Sequence, residues 1–167
     1  MSELKSLSKE AIPLALEKAE RYRLLNEPGE AESICLDILK ADPENQDALI
    51  TLLLALTDRF SKGYGIGDTQ AKQLLGRIKG DYERAYYTGI IYERRAKALL
   101  AHDTPRGGSR AYEWLREAMR HFERAEAIRP QNNDDALLRW NACARLIMQD
   151  RHLEPSREEP SEPLLSE

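Results

Sequence analysis

The sequence predicts an all-α protein of antiparallel helix pairs, and three observations predict it. Hydrophobic residues make up 41% and charged residues 32% of the 167 positions, a globular balance in which abundant Ala, Leu, Glu, Arg and Lys suit helices with one apolar and one solvated face. Val and Phe, which favour strands, are scarce. Apolar residues recur at helical spacing in seven blocks, separated by breakers rich in Pro, Gly or Asn.

A first helix is expected from about Ser8, its N-cap, to Leu25, with Pro13 early enough to be tolerated. Leu16, Ala19, Tyr22 and Leu25 share one side. Asn26-Glu27-Pro28-Gly29 reads as a turn. A second helix runs from about Glu30 to Ala41, with Ala31, Ile34, Cys35, Ile38 and Leu39 on one face, and Pro43 stops it. The third spans about Gln46 to Phe60 and is apolar around most of its circumference, which predicts a central position.

Ser61 to Gly67 reads as a glycine-rich loop. A short fourth helix follows from Asp68, its N-cap, to Lys79, with Gly80 as the residue that ends it. The fifth runs from about Asp81 to Ala101 and the sixth from about Ser109 to Ile128, parted by Asp103-Thr104-Pro105-Arg106-Gly107-Gly108. The seventh covers about Asp134 to Gln149. Short connections make successive helices antiparallel. The division is an N-terminal extension at 1–8, a helical domain at 9–152, and a disordered acidic tail at 153–167, whose Pro, Glu and Ser cannot bury enough apolar surface to order.

The formal net charge of −4 argues against a nucleic-acid surface. Met1-Ser2-Glu3-Leu4-Lys5 leads into a charged helix and not an apolar leader. The longest apolar run, Ala48 to Leu56, is interrupted by Thr51 and falls short of the ~20 residues a membrane span needs. A cytoplasmic location is the expectation. Cys35 and Cys143 form no CxxC pair and are expected as buried, reduced thiols.

The spacing carries a further pattern: W-x2-L-G-x2-Y, then A-x3-F, then P, over a period of about 34 residues. In the first helix pair Ala19 takes the small slot, Tyr22 the tyrosine slot, Ala31 the alanine slot and Cys35 the aromatic slot, and Pro43 follows. Ala15 and Lys18 depart from the bulky and leucine slots. In the third pair Gly89 and Tyr92, then Ala118, Phe122 and Pro130, keep the spacing, with about 17 extra residues between Tyr92 and Ala118. That pair is expected as an extended hairpin in which Ala96, Leu99 and Leu100 meet Tyr112, Trp114 or Leu115. The second pair is less regular, with Leu49, Leu52, Leu53 and Leu56 in its first-helix slots. In the seventh helix Ala136, Trp140 and Cys143 take the bulky, small and tyrosine slots, and Trp140 suits a helix that terminates a stack. The chain resembles the tetratricopeptide-repeat family over about residues 9 to 149. The resemblance implies a short α-solenoid of about three repeats plus a C-terminal capping helix.

It also implies a non-catalytic adaptor that holds a peptide or helical segment of another protein in a concave groove lined by the first helix of each pair. The slots facing that groove are Leu16, Glu20 and Arg23, then Asp47, Ile50, Leu54 and Asp58, then Tyr86, Ile90 and Arg94, and finally Leu137, Asn141 and Arg145. Leu16, Glu20 and Thr51 stand where one subtype places the Lys and Asn residues that clamp the terminal carboxylate of chaperone tails, so that partner class is not expected. An apolar or amphipathic segment with some basic character is. The alternatives are self-association, as in a homodimer, and service as an accessory or assembly subunit of a larger enzyme.

No residue pattern points to an enzyme. Gly63-Tyr64-Gly65-Ile66-Gly67 resembles a phosphate cradle but lacks the strand before it and the Lys-Ser/Thr after it. His102, His121 and His152 have no ligand partner at HxxxH or HxxE spacing, and His121 is expected on the outside of the sixth helix. The runs Glu93-Arg94-Arg95 and Arg116 through Arg120 read as solvated faces. No cofactor, metal, nucleic acid or membrane is expected.

Overall fold

The computed structural model describes residues 1–62 and 68–157, and α-helices carry its architecture. The glycine-rich stretch 63–67, the capping side chain expected at Asp68 and the tail from 158 to 167 lie outside the described residues. A 3-10 turn at Lys9–Ala11 leads into α1 (Ile12–Leu24). Then come α2 (Pro28–Ala41), α3 (Gln46–Thr57), a 3-10 turn at Phe60–Lys62, α4 (Asp68–Arg77), α5 (Asp81–Ala101), α6 (Gly107–Ala127) and α7 (Asp135–Gln149). Among the described residues there is no strand, and no helix is long and apolar enough to cross a membrane.

Several helix ends differ from expectation for local reasons. Ser8 precedes the first 3-10 turn, but its side chain makes no capping bond. Pro28 starts α2 instead of closing a turn, because a proline at the first helical position forfeits no hydrogen bond. The Asn45 side chain caps α3, accepting from Ala48 N at 2.9 Å. Gly80 is extended (φ −77, ψ 135) and precedes α5, so it is not the left-handed terminator of α4. That helix end is tied down by Gln46, which donates to Arg77 O at 3.3 Å and accepts from Lys79 N at 3.0 Å.

Each helix packs on the next along the chain, except that α4 is held more loosely, and α1 also touches α3 while α3 touches α5. The helices therefore form a row in which successive members pack and α1, α3 and α5 also touch in turn. The α5–α6 hairpin is the most extensively packed. Both of its helices are 21 residues long, against 13, 14 and 12 for α1 to α3. Ala96, Leu99, Leu100, Tyr112, Trp114 and Leu115 share its core, as the extended hairpin required.

Two hydrophobic cores result. The first joins α1 to α4 around Ala19, Ala31, Cys35, Ile38, Leu49 and Leu53, and takes in Ile91 from α5. The second joins α5 to α7 around Ala111, Leu115, Ala118, Phe122 and Cys143, and takes in Leu54 from α3. The small residues of the spacing pattern sit where backbones approach closely. A Cβ on Gly89 would lie 2.6 Å from the Phe122 ring, and Ala19, Ala31 and Ala118 have no exposed surface. Beyond α7 the chain turns back across the start of α6, where a Cβ on Gly108 would collide with the His152 carbonyl. Leu153 is buried in the second core, one residue past the expected domain boundary.

Candidate functional site

The first helices of the hairpins share a polar strip that runs across the row. Arg23 near the end of α1 grips Asp58, which follows α3: Nε to Oδ2 is 2.9 Å and Nη2 to Oδ1 is 3.3 Å. Arg94 on α5 reaches the same carboxylate, with Nη1 2.7 Å from Oδ1. The same nitrogen lies 2.8 Å from Leu54 O and 2.7 Å from Thr57 Oγ1, so α5 is tied to the carbonyl end of α3. A cation beside unsatisfied terminal carbonyls is favourable. Burial pulls the Arg94 pKa below its ordinary value against the opposing pull of Asp58.

A second cluster lies on the same side of α5. Glu93 is 1% exposed, and its Oε1 accepts from Lys97 Nζ at 2.6 Å and from Arg139 Nη1 of α7 at 3.4 Å. Its Oε2 is buried without a hydrogen-bond partner. Burial works against the Arg139 charge, but Glu93 and a hydrogen bond with Tyr86 outweigh it and raise its pKa. Tyr86 stacks on Tyr82 at 5.9 Å, meets Tyr87 edge-on at 5.0 Å and leans on Phe122 at 5.8 Å. Its own pKa is raised, chiefly by burial. Both clusters have one pattern: two cations share one carboxylate.

Of the residues expected to line the groove, Arg23, Leu54, Asp58 and Arg94 come together in the first cluster, and Tyr86 joins the second. Leu16 and Ile50 pack half-buried against the first core, while Glu20 and Asp47 are exposed on α1 and α3. Ile90 does not line the groove, because it is 2% exposed within the second core. Leu137 and Asn141 face elsewhere: with Trp140, Glu123 and Glu126 they line a shallow cavity between α6 and α7. Arg145 is exposed and joins neither cluster. The α7 residue on the groove side is Arg139, two positions from Leu137.

Sequence reasoning missed Glu93, Lys97 and Arg139. Only the i, i+4 pair of Glu93 and Lys97 was visible as a signal. Glu93 is not on a solvated face: it is 1% exposed, and Arg139 of α7 reaches its carboxylate. His121 is not on the outside either. Its ring stacks on Tyr92 at 5.6 Å, with Nε2 3.4 Å from Glu117 Oε1. Trp140 packs against the second core and donates from Nε1 to Glu123 at 2.9 Å.

Cys35 and Cys143 are buried free thiols, each pushed up to about 12 chiefly by burial. Among the described residues no group of three His, Cys, Asp or Glu side chains converges as a metal site. Comparison with family models, with curated proteins and with solved structures returns no match for this chain.

Proposed function

We propose that this chain is a tetratricopeptide-type helical scaffold that holds a segment of another protein against α1, α3, α5 and α7, and that it catalyses nothing. One observation carries the reading. The Arg23–Asp58–Arg94 and Lys97–Glu93–Arg139 clusters link four alternate helices along one side of the row, and their members stay partly open to solvent apart from Glu93. The repeat itself is supported by the small-residue packing at Ala19, Ala31 and Ala118, and by the fit of Gly89 under Phe122.

The charge of the strip bears on the partner. The two bridges set four cations beside two carboxylates, which favours carboxylates or free carbonyls on the segment at those points, while exposed Glu20 and Asp47 on the same helices suit the basic residues of the amphipathic segment expected from the groove slots. Half-buried Ile50, Leu54 and Tyr86 supply apolar contact beside them. Selection of peptides from a random display library by the full chain tests this. The selected peptides are expected to carry both acidic and basic residues. They should bind more weakly to a Lys97→Gln, Arg139→Gln variant and also to Glu20→Lys, which sets a cation against the basic residues of the segment. Peptides indifferent to all three substitutions would overturn the groove reading.

A further inference from the structure

The two ends of the helix row carry complementary surfaces. At one end α1 packs on α2, on its own leading turn and more lightly on α3. Its outer side presents Leu14, Lys18, Arg21 and Leu25 at i, i+4, i+7 and i+11, which places them on one stripe. Leu14 is 71% and Leu25 62% exposed, and both cations are exposed. The stripe is apolar at each end and cationic between, with Glu17 beside it.

At the other end α7 packs on α6, and Leu138, Arg145 and Met148 of α7 are exposed. Leu137, Asn141, Ala144 and Met148 repeat the same spacing there; Met148 is 77% exposed, Leu137 and Asn141 are half-buried, and Ala144 leans on the second core. Leu137 and Asn141 join Trp140 and the carboxylates of Glu123 and Glu126 around a cavity of about 300 Å³. In a row of hairpins this cleft is where the next helix would lie. The described chain does not supply one, because after α7 it turns back across Gly108.

We propose that a second copy of this chain fills the cleft, with the outer stripe of α1 from one copy laid between α6 and α7 of the next. Lys18 and Arg21 then face Glu123, which among the described residues accepts only from the neutral Trp140 ring, and Glu126, whose Oε1 stands 4.0 Å from Arg129; Leu14 and Leu25 meet the apolar ends of the α7 stripe, and Glu17 lies on the side of Arg145. Charge complementarity together with matched stripe length selects this occupant. The contact is head-to-tail, so each added copy leaves a fresh end, and growth is open unless the rotation closes a ring. The surface is separate from the polar strip of α1, α3, α5 and α7, and the inference does not depend on what that strip binds.

Sedimentation of the full chain from micromolar to millimolar concentration tests it. The mass is expected to rise continuously without stopping at a dimer, and to fall as added salt screens the pairs. Lys18→Glu with Arg21→Glu, and separately Glu123→Lys with Glu126→Lys, should each weaken association by about tenfold or more. An equimolar mixture of the two variants should associate again, because the reversed ends suit each other. Leu14→Asp with Leu25→Asp changes only exposed side chains and should also give monomers. A wild-type chain that stays monomeric throughout, a symmetric dimer indifferent to all these changes, or a mixture that fails to reassociate would overturn the proposal.

Discussion

Replacement of Gly89 by alanine isolates the close approach at the centre of the longest hairpin. A Cβ there would stand 2.6, 2.8 and 2.9 Å from three carbons of the Phe122 ring. Phe122 is wholly buried among Ala118, Ala125, Leu115 and Tyr86, so the ring has nowhere to swing. Overpacking of this kind costs about 1–3 kcal/mol. Alanine also recovers about 1 kcal/mol of helix propensity relative to glycine. The net expectation is a loss of roughly 0–2 kcal/mol, with the clash prevailing because the atoms met belong to a fixed ring. Urea unfolding of wild type, Gly89→Ala, Phe122→Leu and the double variant separates the two terms. In the Phe122→Leu background the ring edge is gone, and Gly89→Ala should stabilise by up to about 1 kcal/mol. The resulting coupling is about 1–3 kcal/mol. If Gly89→Ala stabilised both backgrounds equally, the tight packing of α5 on α6 at this point would be refuted.

Two further outcomes follow from the polar contacts. Asp58→Asn leaves Arg23 and Arg94 without their shared carboxylate, where the three side chains are 20%, 22% and 24% exposed for Arg23, Arg94 and Asp58. Breaking such a pair should cost about 2–3 kcal/mol, less than a fully buried pair because water reaches part of it, and a chemical-denaturation midpoint indistinguishable from wild type would contradict the bridging role. Burial holds the His121 pKa below its ordinary 6.5, against the favourable charge of Glu117. Its neutral ring therefore contributes stability that is full above about pH 6.5 and is lost as the pH falls through the lowered native value. Stability measured from pH 8 to 5 should decline more steeply for wild type than for His121→Gln; equal slopes would remove this contribution.

Much of the helical framework was legible because its punctuation is local. Pro43, Pro130 and the Asp103-to-Gly108 breaker act on their own neighbours, and small residues at fixed spacing report close packing wherever they occur. Pro28 was ambiguous because a proline both closes turns and opens helices. The face of α7 was misjudged for a different reason. Leu137, Leu138, Leu146, Ile147 and Met148 spread around the helix, so apolar periodicity selects no side. What selects it is the contact of Arg139 with Glu93, 46 residues away in sequence. The burial of Glu93 was hidden for the same reason. A glutamate followed by two arginines looks solvated until another helix covers it, and no window along the chain contains that helix.

The division into two cores has a mechanical consequence. Ile91 and Leu54 cross the boundary between them in opposite directions, and Arg94 stitches it to the end of α3. Each half keeps its own apolar interior, and the seam between them is closed by Tyr87, which packs against both, and by the 3-10 turn at Phe60–Lys62 lying against α5. Parting the halves would uncover these apolar side chains as well as break the Arg94 ties, so the seam is a shared joint and not a gap between the two interiors. A substitution at this joint is felt by both interiors at once, and through them by the spacing of Arg23 on one half from Arg139 on the other.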